Sequence, residues 1–144
     1  CALPISLARN VVLNGLGGRV IPVHAAVGGR SGTCRLDLSP SSTMAIVQGA
    51  RSHGSVRTES VEVPMVTLDE FARREGVWPD VLKVDVEGCE VEALNGGVEC
   101  LAHARALVIE THSDELTRQC IGILKKAGFE VETDHLVHAW RRAQ

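Results

Sequence analysis

The chain has 144 residues, 44% hydrophobic and 23% charged, enough for one domain with a single core. A net charge of −3 excludes the basic footprint of a nucleic-acid or anionic-membrane binder, and 3% aromatics with no Tyr excludes a base-stacking surface. No apolar run approaches the roughly 18–20 residues of a membrane span and no signal peptide opens the chain, which predicts a cytoplasmic protein with no membrane partner.

Residues 6–18, "SLARNVVLNGLGG", place Leu7, Val11 and Leu16 at helical spacing, with Asn14-Gly15 and Gly17-Gly18 as the stop. Residues 19–28 are β-rich and end at Gly28-Gly29, and Pro22 removes a ladder donor, which predicts a strand near a sheet edge. Residues 30–60 are the least regular, with one alternating run at Cys34, Leu36 and Leu38. This stretch predicts a strand and then a polar loop over 39–55, either a lid or a surface insertion. Val61, Val63 and Met65 alternate in a half-buried antiparallel strand over 56–67. A helix-start signature follows: Thr67 as cap, Glu70 completing a capping box, and Val66 with Phe71 as a hydrophobic staple. That helix runs to about Glu75 and stops at Gly76.

From residue 81 the order is regular: a strand at 81–87, a helix at 89–95, Gly96-Gly97, and a helical stretch to about Ala102. A strand at 106–112 leads into "DELTRQCIGILKKAG", a helix with Ser113 as cap, acidic residues in its first turn and Lys125-Lys126 in its last. Gly128 ends it. The last sixteen residues form one strand, or two with a tight turn near His135. Alternating apolar strands and helices predict an α/β, Rossmann-like domain: a parallel sheet covered on both faces, with a β-rich insertion at about 30–65.

In such a sheet ligands bind beyond the carboxyl ends of the strands. Two strands end there in polar residues, one in Asp85-Val86-Glu87-Gly88 and one in Glu110-Thr111-His112. Strand alternation puts Lys83, Asp85 and Glu87 on one face, where a Lys83–Asp85 pair and an open crevice at Glu87 would offset the cost of burying charge. Asp85 and Glu87 are therefore candidate site residues, and His112 is a candidate base or substrate contact. Gly88 permits a sharp strand-to-helix turn. Glu90 reads equally as a partner of the helix dipole or as a functional group.

The histidines at 24, 53, 103, 135 and 138 are scattered. The five cysteines at 1, 34, 89, 100 and 120 form no CxxC pair and read as small core residues or bystanders. A metal site from Asp85, Glu87, Glu110 and His112 is conceivable but has no local ligand spacing to support it, so no metal is expected. There is no GxSxG, P-loop or GxGxxG, which disfavours elbow hydrolases, NTPases and a complete dinucleotide site.

The segment "VEVPMVTLDEF…DVLKVDVEGCEVEALNGG" resembles the hallmark of the FkbM-type S-adenosylmethionine-dependent methyltransferases. There a V-x-T-L-D helix start precedes L-L-K-[IV]-D-V-E-G-x-E. "LARNVVLNGL", "VIPVHAAVGGRSG" and "ALVIETH" look like the family's helix after its second strand, its third strand and its fifth, so the resemblance spans nearly the whole chain. It implies a class I methyltransferase sheet and O-methylation of a hydroxyl on a sugar or secondary metabolite, with S-adenosylmethionine as donor and a small molecule or glycan as acceptor. It places Ala25, Ala26 and Val27 beside the adenine, Asp85 and Val86 near donor and acceptor, and Glu87 toward the substrate. It assigns no oligomeric state.

The family's first two strands, its glycine-rich loop and its ribose-binding acid would lie before Cys1. The 144 residues thus read as the C-terminal two-thirds of a methyltransferase domain that binds donor weakly or not at all when isolated. A non-catalytic Rossmann-like remnant or interaction module is the alternative reading. A Rossmann-like oxidoreductase or metal-dependent enzyme is a third.

Overall fold

The computed structural model describes residues 2–38, 45–47 and 59–142. Among these described residues five helices and eight strands follow in the order α1 (Ala2–Leu13), β1 (Ala26–Val27), β2 (Gly32–Leu38), β3 (Ala45–Val47), β4 (Glu59–Val66), α2 (Leu68–Glu75), β5 (Val81–Val84), α3 (Glu90–Asn95), α4 (Val98–His103), β6 (Ala106–Ile109), α5 (Asp114–Lys126), β7 (Glu130–Thr133) and β8 (Val137–Trp140). The chain is a mixed α/β structure. The strand expected over 19–28 shrinks to Ala26–Val27, and the expected 39–55 loop lies mostly outside the described residues, apart from β3. The closing segment resolves into two strands, a hairpin turning at Asp134–Leu136.

Two four-stranded sheets replace the single parallel sheet that the sequence predicts. The first has the order β1-β4-β2-β3, with only β1 and β4 parallel; the second has the order β5-β6-β8-β7, with only β5 and β6 parallel. The β-rich insertion is the cause in the first sheet, because β2 to β4 fold as antiparallel neighbours on the edge that β1 would extend.

The second sheet is buried chiefly on one face, not two. The pairing register puts Leu82, Leu107, Ala139 and Val131 in one row and Val84, Ile109 and Val137 in the next. These side chains meet Ala93, Leu94, Leu101, Cys120 and Leu124 from the helices in one apolar core. The opposite face carries Lys83, Val108, His138 and Glu132 in register. Lys83 therefore interrupts no core. It stands on the polar face of an edge strand.

The two sheets are joined through α2. Thr67 caps that helix, its hydroxyl accepting from the Glu70 amide at 3.1 Å. The capping box is relayed: the Ser31 hydroxyl donates to the Glu70 carboxylate and accepts from the Thr67 amide. Asp69, nearly buried, accepts the amides of Glu99 and Cys100 at 3.0 and 2.8 Å and so caps α4, while its own amide donates to the Gly96 carbonyl at 3.0 Å. A side chain at Gly96 would collide with the Gly28 carbonyl oxygen, and one at Gly97 would lie 2.8 Å from Leu68 Cδ1. These two glycines let the end of β1 and the start of α2 close onto the α3–α4 corner.

The four described cysteines are free, and burial pushes the thiols of Cys89, Cys100 and Cys120 up to about 11, about 12 and about 12. They are protonated packing residues at neutral pH. Among the described residues no helix is long and apolar enough to cross a membrane.

Gly96→Ala is expected to destabilise the fold by about 3 kcal/mol, at the upper end of overpacking costs because backbone cannot rotate aside. Gly17→Ala, with nothing within 4 Å of the added carbon, is expected to stay within about 0.5 kcal/mol of the wild type. Equal urea midpoints for the two variants would refute the close-approach account.

Candidate active site

At the carboxyl end of β5 the strand stops at Val84, earlier than the expected residue 87, and residues 85–88 turn into α3. Glu87 (φ 49°) and Gly88 (φ 95°) are both left-handed, and Glu87 is the one non-glycine residue with positive φ among those described. A side chain in that region costs about 1–2 kcal/mol, a strain that clusters at functional positions. The adjoining strand β6 stops at Ile109, also short of the expected 112, so Glu110, Thr111 and His112 lie in the loop before α5. Ser113 caps α5 by accepting from the Leu116 amide, and Thr111 and Thr117 share a hydroxyl contact of 2.6 Å.

These two loops converge. His112 Nδ1 lies 2.7 Å from Glu90 Oε1, and His112 Nε2 lies 3.2 Å from Glu87 Oε2. Glu90 is fully buried, and the same Oε1 accepts the Gly88 amide at 2.8 Å. Its other oxygen and Glu87 Oε2 are buried without a hydrogen-bond partner. Asp85 forms the expected pair with Lys83 at 2.6 Å, and Glu110 lies 4.0 Å from the same ammonium. Lys83 is 60% exposed, so this pair contributes little stability.

Asp85, Val86 and Glu87 line a cavity of about 200 Å³ together with Ala25, Ala26, Val27 and Leu36. The structure thus brings residues 25–27, from the first sheet, to the end of β5 in the second. His112 is not on that cavity's wall. It lines a second, more polar cavity of about 400 Å³ with Thr111, Ser113, Thr117, Asp134 and His135. In that turn Asp134 accepts the Leu136 amide, which holds its carboxyl below the usual range.

Glu90 is the residue that the sequence under-read. A carboxylate opening a six-residue helix satisfies the dipole in any exposed setting, and only tertiary packing reveals that it is wholly buried against an imidazole. The signal in the sequence was its placement two residues after Gly88, within reach of the turn amide.

The methyltransferase FkbM domain model matches residues 3–135. Hexuronic acid methyltransferase AglP of Haloferax volcanii is 29% identical over 121 residues, which cover 83% of this chain and 48% of that protein. The chain therefore spans about half the length of this curated relative. No solved structure matches it at a significant level.

His112→Ala would strand the buried Glu90 carboxylate and is expected to cost about 3 kcal/mol or more in urea unfolding. His138→Ala, on the polar face, should cost no more than about 0.5 kcal/mol. A neutral His112→Ala would mean that Glu90 does not depend on the imidazole.

Proposed function

Because the chain belongs to the FkbM methyltransferase family, we propose that it forms the acceptor-side part of an S-adenosylmethionine-dependent O-methyltransferase with a Rossmann-like class I sheet. The observation that carries this reading is the convergence of Ala25–Val27 with Asp85–Glu87 around one cavity, beside the Glu87–His112–Glu90 cluster.

The cavity suits part of the donor. Val27, Leu36 and Val86 offer apolar wall, and Asp85 and Glu87 offer negative charge to a cation. Its volume of about 200 Å³ falls below the roughly 300–1,000 Å³ typical of whole small-molecule sites. Ala25, Ala26, Val27, Asp85 and Val86 would hold the donor there. Bound in the cavity, S-adenosylmethionine supplies an electrophilic sulfonium methyl.

The protein's task is then alignment. Asp85 or Glu87 would take the proton of an acceptor hydroxyl aligned with the methyl, as the oxygen–methyl bond forms, the sulfur–methyl bond breaks and the neutral thioether leaves. Glu90 fixes the His112 ring, and His112 in turn faces Glu87. The polar cavity lined by Thr111, Ser113, Asp134 and His135 suits a polyhydroxylated acceptor, and the hexuronic acid named for the relative favours a sugar.

In the complete protein, Asp85→Asn is expected to lower methyl transfer by 100-fold or more, within the range for one proton-transfer group of about 10²–10⁴, with an unchanged circular dichroism spectrum. Unchanged turnover would remove Asp85 from the mechanism. The isolated 144-residue chain should bind S-adenosylmethionine weakly or not at all, and submicromolar binding by calorimetry would contradict that expectation.

A further inference from the structure

We propose that Asp85, Glu87 and His112 form a binding site for a divalent first-row cation, with Glu90 as the positioning residue behind the imidazole. One ligand atom from each of the three lies within 4.8 Å of the others. Metal–oxygen and metal–nitrogen bonds of about 2.1 Å place ligand atoms roughly 3–4 Å apart, so closure shortens the separations by at most about 1–2 Å.

The hydrogen bonding of His112 points the same way. Glu90 Oε1 already accepts the Gly88 amide and faces Nδ1 at 2.7 Å, so the proton of a neutral imidazole sits on Nδ1. The Nε2 lone pair then faces Glu87 Oε2 at 3.2 Å, and that oxygen is buried with no donor of its own. A bound cation would occupy the space between these two lone pairs, as a second ring proton would, and it would also reach Asp85. An imidazole whose far nitrogen is tied to a buried carboxylate is the arrangement that orients a histidine onto a metal.

The second observation is Glu90 itself, fully buried, with one oxygen unpartnered and the other directed at His112. Lys83 meets one oxygen of Asp85, Oδ2, at 2.6 Å.

Two carboxylates and one imidazole suit Mn²⁺ or Zn²⁺ better than Ca²⁺, whose ligands are all oxygen. Three protein ligands leave positions for water or an acceptor oxygen. Asp85 and Glu87 line one cavity and His112 the other, so the ion would stand between the two. A hydroxyl on that ion is acidified, and its proton leaves to whichever carboxylate oxygen does not coordinate. The inference stands on the cluster's geometry and does not require the methyl-transfer reading.

The test is titration of the 144-residue chain with Mn²⁺, read by loss of the free-ion electron paramagnetic resonance signal, together with ¹⁵N spectra of the histidine rings. One bound ion per chain is expected, with selective broadening of the His112 ring nitrogens and little effect on His24 or His103. Glu87→Gln should weaken binding at least tenfold, and Glu90→Gln by about 10–100-fold. Glu87 is partly exposed, so its variant informs even if loss of the buried Glu90 carboxylate prevents folding. No binding at millimolar Mn²⁺, broadening centred on another histidine, or unchanged affinity in folded Glu87→Gln would overturn the proposal. None of these readouts uses turnover, so failure of the methyl-transfer reading would leave the result standing.

Discussion

The site depends on one buried carboxylate. Glu90 is sealed from solvent, and a charge there is tolerable only because the Gly88 amide and the His112 ring both approach its Oε1. Those two contacts come from opposite loops, one after β5 and one after β6. The carboxylate therefore sets the spacing of the two strand ends as well as the orientation of the ring. Glu87 acquires its left-handed backbone in the same turn, so its direction toward His112 is a consequence of how Glu90 is held.

A second set of contacts decides where the other wall of the cavity stands. Thr67 and Asp69 lie two residues apart at the start of α2 and cap two different helices, α2 and α4. With Gly96 allowing the Gly28 carbonyl to approach, α2 becomes a clamp between the sheets. The Gly28 carbonyl at the end of the 25–27 segment is thereby seated on the α3–α4 corner, and residues 25–27 share one cavity with residues 85–87.

Local features were readable from the residues. The Thr67 and Ser113 caps, the stop at Gly76 and the Lys83–Asp85 pair all arise from short-range chemistry. Where the sequence misled, the deciding interactions were long-range. Alternation over 81–87 assumed that the strand continues to Glu87, but the left-handed pair at Glu87 and Gly88 ends the extended backbone. The single parallel sheet failed because β2 to β4 pair antiparallel beside β1 and the closing β7–β8 hairpin adds antiparallel strands beside β6, pairings that no residue spacing encodes. His112 and Glu90, 22 positions apart, each looked ambiguous alone. Burial and mutual contact gave both a defined role.

The outer edge of β5 has a further effect, on colloidal behaviour. Among the described residues no strand pairs with that edge, so its backbone amides and carbonyls form an open template beside Val81, which is 62% exposed. Lys83 stands in the middle of this edge strand, a charged gatekeeper against edge-to-edge stacking of the kind that seeds aggregates. The charge that looked misplaced in a core strand stands where edge-strand charges disfavour pairing between sheets.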